Sequence, residues 1–462
     1  MKKLFLLAVV FLSVAAMAQQ ITVEDLAKSI GATDLATLQY SGDGVGYRFG
    51  QSLNPKAAWP QYPINAYTRV IDFKSVSSSE EFNRVIPNQP VHATEFVSGQ
   101  CAWNATDTAT TPAFAQADDR AIQIWLTPQG FLKAALANQA TAKLQDDHGN
   151  KVVVISFTAH DKKFVGYASV QGFLYRTQTW IDNPLLGSTL IETDYSEYKD
   201  FGGLKFPTKI VQKQGGFPTL DLVVNDVKPG VVVAFKVPDV VQQAKISPVH
   251  VETQKVADGI WYLTGGTHHS VVVEFKDYVA VIEAPLNEER SKAVIAEAKQ
   301  LVPNKPLRYL INTHHHFDHS GGLRLYAAQG VTIVTHEINK PYYASLFKAN
   351  IETVSDKKIL TDGSRLLELH LIKDSPHAEG LLLAYLPKEK ILVEADAFTP
   401  LAPNAPKPAA VNPATVNLYK NIEALHLDVA TILPIHGRLV PYSDLVAAAG
   451  ISNTTQTASG GN

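Results

Sequence analysis

Residues 307–319 read Leu-Arg-Tyr-Leu-Ile-Asn-Thr-His-His-His-Phe-Asp-His, an apolar strand that runs straight into four imidazoles and a carboxylate. The pattern is His-x-His-x-Asp-His, at His314, His316, Asp318 and His319. Imidazole nitrogen suits zinc, and three protein ligands leave a coordination position for water. Residues two apart at a strand end point to one place in space once the strand gives way to a loop. One loop of this kind serves two metal ions. The competing explanation, a polar loop of solvated histidines, accounts poorly for this density well inside the chain.

The surrounding residues alternate strands and helices. Short strands are expected at 261–263, 270–275 and 278–283, then a helix at 287–301 with an acidic start and Val294, Ala298 and Leu301 at helical spacing. A strand at 307–312, a helix after Ser320 and a strand at 331–335 follow, with later strands at 366–372, 381–386, 391–394 and 431–434. Three more candidate ligands fall where those later strands end: His377 in Asp374-Ser375-Pro376-His377, Asp396 in Glu394-Ala395-Asp396, and His436 in Pro434-Ile435-His436-Gly437.

These seven positions, in type and order, resemble the signature of the metallo-β-lactamase superfamily over about residues 253–442. The resemblance implies an αββα sandwich in which His314, His316 and His377 hold one metal and Asp318, His319 and His436 the other, with Asp396 bridging them. It implies two zinc ions, with iron or manganese also compatible with the ligand types. Asp at the bridging position is similar to glyoxalase-II-like thioesterases, lactonases and phosphodiesterases, whereas β-lactamases of the superfamily more often carry Cys or Ser there. β-Lactamase activity is therefore not the favoured expectation. Where the family usually has Asp at the end of an early strand, orienting a ligand histidine, this chain has Glu283.

The chemistry so implied is metal-assisted hydrolysis of an ester, thioester, lactone, amide or phosphoester. Two ions would bring a bridging water toward a pKa of ~7 for attack, and Asp318 would act catalytically by orienting that nucleophile or shuttling its proton. Two alternatives stay open. One is a mononuclear iron oxygenase of the same superfamily, using a subset of the ligands. The other is a carrier of apolar ligands in which the metal domain is secondary.

Composition bounds the rest. At about 100–200 residues per domain, 462 residues imply more than one. A hydrophobic fraction of 45% with 18% charged residues supports buried cores and lies outside the disordered range. Lys plus Arg total 41 against 44 Asp plus Glu, and no basic block stands ready to neutralise phosphates. A small-molecule substrate is expected, and nucleic acid is not. Nothing in the sequence specifies an oligomeric state. Cys101 is the sole cysteine, which excludes an intrachain disulfide and leaves metal chemistry to the 15 histidines.

Lys2 and Lys3 precede an apolar run over 4–16, and Ala16-Met17-Ala18 has the small, spaced residues of a cleavage site. A signal peptide cleaved after Ala18 is expected, giving a periplasmic or secreted protein. The run is shorter than the ~20 residues of a membrane span, and no later segment is apolar for long enough. Four histidines precede residue 251 and eleven follow it, so a boundary is placed in the polar stretch 242–249. The expected organisation is a signal at 1–18, a β-rich domain at 19–248, a metallo-β-lactamase-fold domain at 249–447 and a flexible tail at 448–462.

The first half opens with a capped helix at Thr22-Val23-Glu24-Asp25, and a second starts at Thr127-Pro128. After Asp147, strands at 151–158, 164–170, 173–181, 188–196, 204–214 and 220–227 form an antiparallel meander. Residues 195–237, with Phe201-Gly202-Gly203-Leu204-Lys205-Phe206-Pro207, loosely resemble the curved sheet of periplasmic lipoprotein-carrier-like domains. The fold class expected is a two-domain α+β protein with a mainly antiparallel N-terminal sheet and a few helices.

Other conspicuous residues carry less. His268 and His269 lie in a loop near the expected pocket and are candidate substrate contacts. His315 points away from the metals, and His336, His370 and His426 are packing or surface residues. The Pro-rich stretch 399–413 is an ordered surface loop, and Cys101 a buried small hydrophobe.

Overall fold

The strands whose ends carry the candidate ligands belong to the second half of the chain, in a seven-stranded and a six-stranded sheet. The computed structural model describes residues 21–451 apart from 86–89, 148, 234, 247, 407 and 409. The expected signal peptide, and the part of the expected tail beyond residue 451, lie outside the described residues. No helix among the described residues is long and apolar enough to cross a membrane.

The first 13 strands form one sheet, antiparallel at every pairing, from Thr37–Tyr47 to Phe217–Pro229. The six strands expected after Asp147 are all present, from Asn150–Ala159 onward. A further six lie earlier, between Thr37–Tyr47 and Thr110–Pro112, a stretch of the expected β-rich domain to which the sequence reading assigned no element, and Thr141–Asp147 adds another. Those early strands are rich in Gly, Ser and Asn and carry register shifts at Ser41/Gly42 and Gly42/Gly44, which blur the alternation that marks a half-buried strand.

Three helices cover one face. Thr22 and Asp25 form a reciprocal capping box on Val23–Ser29, and Thr127 caps Pro128–Ala137 with Pro128 in its first turn. Leu26, Ile122, Phe131 and Leu132 of the helices pack on Val153, Ile155, Phe164, Phe206 and Leu222 of the sheet. Cys101 is half-buried at a strand start, not fully buried as expected, because its strand pairs near the sheet edge.

The second unit is an αββα sandwich. A seven-stranded sheet begins at Glu252–Ala257 and ends at Ile351–Val354, and a six-stranded sheet runs from Lys357–Thr361 to Val440–Pro441. Val271, Ala280, Ile282 and Ile311 of the first face Leu367, Leu369, Leu382 and Leu433 of the second. The outer face of the first sheet packs on helix Glu288–Leu301 through Val294, Ile295 and Ala298. Helix Pro413–Ala424 covers the other sheet with Leu418 and Ile422. Strands buried on both faces, such as Val279–Ile282, are continuously apolar for that reason, and Ile391–Glu394 is apolar up to its last residue.

Candidate metal centre

Strand Leu307–Ile311 ends, Asn312 to His315 leave it as a loop, and His316 precedes the short helix Phe317–Ser320. This turn throws His314, His316, Asp318 and His319 to one side of the sandwich. Glu283 and Asp396 follow the parallel-paired strands Val279–Ile282 and Ile391–Glu394, and both take positive φ, 73° and 61°. A non-glycine residue in that region is strained by about 1–3 kcal/mol, and here the strain turns each carboxylate back toward the histidines.

Eight side chains form two groups whose ligand atoms lie within 4.8 Å of one another: His314, His316, His377 and Asp396, and His268, Asp318, His319 and His436. Asp396 touches both groups. Its Oδ2 is 3.2 Å from His314 Nε2, 2.7 Å from His319 Nε2 and 3.3 Å from His377 Nε2, and its Oδ1 is 2.9 Å from His436 Nε2. All seven positions expected to ligate are therefore assembled, from loops up to 122 residues apart, His314 to His436.

The atoms suit divalent ions. His314 and His377 face each other at 3.3 Å between Nε2 atoms, and His319 and His436 at 3.1 Å. An edge of ~3.3 Å is what a tetrahedron with zinc–nitrogen bonds of about 2.0–2.1 Å requires. His316 Nδ1 is buried without a hydrogen-bond partner among the described residues, an unusual state for a ring nitrogen unless a ligand bond completes it.

Two of these imidazoles, His319 and His314, have a partner in their own domain that orients them. His319 Nδ1 is 2.6 Å from Glu283 Oε2, and Glu283 Oε1 accepts from the Thr313 N–H at 2.7 Å. The longer arm of Glu thus reaches a ligand histidine. His314 Nδ1 pairs with Thr313 Oγ1 at 3.0 Å.

Burial, helped by the neighbouring imidazoles His316 and His319, holds His314 far below the ordinary histidine range, and burial with His377 brings His316 to about 3. Both are neutral at neutral pH. Burial also opposes charge on His319, but the Asp396 and Glu283 carboxylates overcome it and raise that imidazole. Asp396 and Asp318 stay ionised: burial works against them, and contacts with His319 and, respectively, His314 and His268 prevail.

The two substrate candidates separate. His268 joins the second group, with Nε2 3.3 Å from Asp318 Oδ2 and its ring 4.1 Å from that of His436. His269 lies apart from both groups: it is buried, bonds to the Tyr262 hydroxyl, and has Nε2 3.2 Å from the Gly266 carbonyl. His315 faces Ser52 Oγ at 3.2 Å, His370 pairs with Glu368 at 2.7 Å, and His336 Nδ1 accepts from the Ile338 N–H at 3.3 Å.

Two residues near the ligands had no counterpart in the sequence reading. Gln51 Nε2 donates to Asp318 Oδ1 at 2.7 Å, and the Ser52 carbonyl is 2.9 Å from His316 Nε2. They stand more than 260 positions from their partners, with no local motif to mark them.

The sequence profile of the metallo-beta-lactamase superfamily matches residues 263–433. The alpha subunit of 2,4-dinitroanisole O-demethylase from Nocardioides sp. (strain JS1661) is 24% identical over 151 residues, 31% of this chain. The chain spans 45% of that relative's length. Among solved structures, a metallo-beta-lactamase from Pontibacter korlensis is 20% identical with a TM-score of 0.37, covering 44% of this chain and 98% of its own. One from Hirschia baltica is 21% identical with a TM-score of 0.36, covering 44% and 97%. Residues 263–433, with the histidine- and aspartate-bearing strand ends they contribute, belong to the metallo-beta-lactamase superfamily.

Proposed function

We propose that this chain is an exported, binuclear zinc-dependent hydrolase of small-molecule esters, thioesters, lactones, amides or phosphoesters. The observation that carries the reading is Asp396, whose two oxygens reach imidazoles of both ligand groups. His314, His316 and His377 would hold one ion and Asp318, His319 and His436 the other, with His268 beside the second.

Two divalent ions bound there supply Lewis acidity, polarising the substrate oxygen and bringing water toward a pKa of ~7. Asp396, whose Oδ2 lies beside His314, His377 and His319 and whose Oδ1 lies beside His436, would be shared between the two ions. Asp318, about a third exposed, would take the proton of the attacking water on its carboxylate and pass it to the leaving group. His268, bonded to its Oδ2, limits its motion. Solvent reaches the site, since the side chains of His377 and His436 are 23% and 20% exposed.

Elemental analysis of protein purified without chelator tests this. Two zinc per chain, falling to one or fewer in Asp396→Ala, supports the reading. A substrate panel of esters, thioesters, lactones, β-lactams and phosphodiesters follows, with 2,4-dinitroanisole added because a relative is named for demethylating it. One iron per chain instead favours an oxygenase, and metal-free protein that folds normally favours a carrier.

A further inference from the structure

The loop of residues 48–60, between strands Thr37–Tyr47 and Gln61–Asp72 of the 13-stranded sheet, is laid along the metal-binding turn. Five successive residues each bond to it or to its neighbour loop. The Gly50 carbonyl accepts from the Phe317 N–H at 3.3 Å and the Leu53 carbonyl from the Glu379 N–H at 2.7 Å. Gln51 donates to Asp318, the Ser52 carbonyl faces His316 Nε2 and its hydroxyl faces His315, and Asn54 Nδ2 donates to Glu379 Oε2 at 3.0 Å.

Packing holds the loop in that place. Trp59 stacks on Phe217 with ring centres 4.5 Å apart and meets Phe49 edge-on at 4.4 Å, and Phe49 meets Phe317 edge-on at 5.2 Å. Phe317 sits between His316 and Asp318 in sequence, so this aromatic cluster grips the ligand turn itself. Gly50 has φ +75°, and a Cβ there would stand 2.3 Å from the Phe317 ring.

A histidine that ligates through one ring nitrogen needs a partner for the N–H of the other, and that partner decides tautomer and ring orientation. His314 and His319 find theirs, Thr313 and Glu283, within their own domain. His316 finds its partner on the N-terminal sheet, and the nitrogen left over is the unpartnered, buried Nδ1. Asp318 is divided in the same way: Oδ1 accepts from Gln51, while Oδ2 faces His268.

Building on the binuclear reading, we propose that Gln51 and Ser52 are positioning residues of the metal centre, contributed by the N-terminal domain. The Ser52 carbonyl receives the Nε2 proton of His316, so that Nδ1 presents its lone pair to the first ion. Gln51 clamps one oxygen of Asp318 and leaves the other for the second ion and the nucleophile. The sheet domain is then a structural part of the active centre, and each ion draws one ligand's orientation from it.

The test uses the full chain, with zinc and cobalt(II) as probes. Three variants are compared with wild type: Gln51→Ala; Gly50→Val, which displaces the loop; and Asn54→Ala, which breaks a bond of the same loop to Glu379, outside both ligand groups. Zinc affinity is read by competition with a chromophoric chelator, ligand geometry by the cobalt absorption spectrum, and folding by circular dichroism. Expected are a loss of zinc affinity of about 10-fold or more in Gln51→Ala and Gly50→Val with an altered cobalt spectrum, and neither change in Asn54→Ala. If Gly50→Val fails to fold, Gln51→Ala alone decides, since it removes only a side-chain amide. Zinc affinity and cobalt spectra equal to wild type in the folded variants overturn the proposal while leaving the hydrolase reading intact. An equal loss in Asn54→Ala also overturns it, because general docking of the domains would then be the cause. Wild type that binds neither metal overturns both.

Discussion

Glu283 and His319 meet at 2.6 Å, and neither side chain has any solvent exposure. The carboxylate also takes the Thr313 N–H, so one residue ties the turn that precedes His314 to the imidazole five positions beyond it.

Replacing Glu283 by Gln keeps the shape and removes one of the two charges, with that of Asp396, that raise His319. Zinc affinity is expected to fall about 10–100-fold, measured by chelator competition, with far-ultraviolet circular dichroism unchanged. An affinity within a factor of two of wild type would refute the orienting role.

His315 couples metal-free stability to acid. Burial brings its pKa to about 4, whereas an unfolded histidine titrates near ~6.5. Between those values the unfolded chain binds a proton that the native state refuses. Stability is therefore fully present above ~6.5 and is lost as pH falls toward 4, by up to about 1.4 kcal/mol per pH unit from this residue. His316, brought to about 3, adds to the same slope. Denaturant titrations of chelator-treated protein from pH 7 to 4.5 should show the decline, and His315→Gln should flatten it by one proton's worth. A variant slope equal to wild type would remove His315 from the account.

Arg290 lies 2% exposed in the first turn of helix Glu288–Leu301 and donates to three carbonyls, those of His250, Leu263 and Thr264, at 2.8 to 3.2 Å. It staples the entry to the sandwich onto its first helix. Arg290→Met would strand three acceptors and should cost about 3 kcal/mol or more in urea unfolding. A loss below about 1 kcal/mol would mean that water replaces the guanidinium without penalty.

Gly321 closes the ligand turn. A Cβ on it would stand 2.0 Å from the Leu286 carbonyl, a backbone atom that cannot rotate away. Gly321→Ala is expected to destabilise the protein by at least about 2 kcal/mol and to lower zinc occupancy, although it touches no ligand. Thermal unfolding with metal analysis would check this, and an unchanged melting temperature would show that the turn yields freely.

Much of the metal centre is local in sequence, and so it was legible there. His314, His316, Asp318 and His319 lie within six residues, and His377, Asp396 and His436 each follow a short apolar strand. Strands buried on both faces advertise themselves as unbroken apolar runs, as Val279–Ile282 and residues 391–393 do. The caps of Thr22 and Thr127 were equally readable, because capping acts over three residues. The early strands were not. Ser77–Val85 is Ser-Ser-Ser-Glu-Glu-Phe-Asn-Arg-Val, a segment whose strand identity comes from antiparallel neighbours on both sides rather than from its own propensity.

Sequence alone therefore determined the candidate ligand positions, their order and the strands that carry them, since those depend on residue type and short-range periodicity. Only the tertiary structure decided that Glu283 reaches His319, that His268 joins the second group while His269 turns inward, and that Gln51 and Ser52 of a distant sheet meet Asp318 and His316. Contacts across more than 260 residues are set by how two domains dock, and docking depends on the shapes of assembled surfaces that no segment carries by itself.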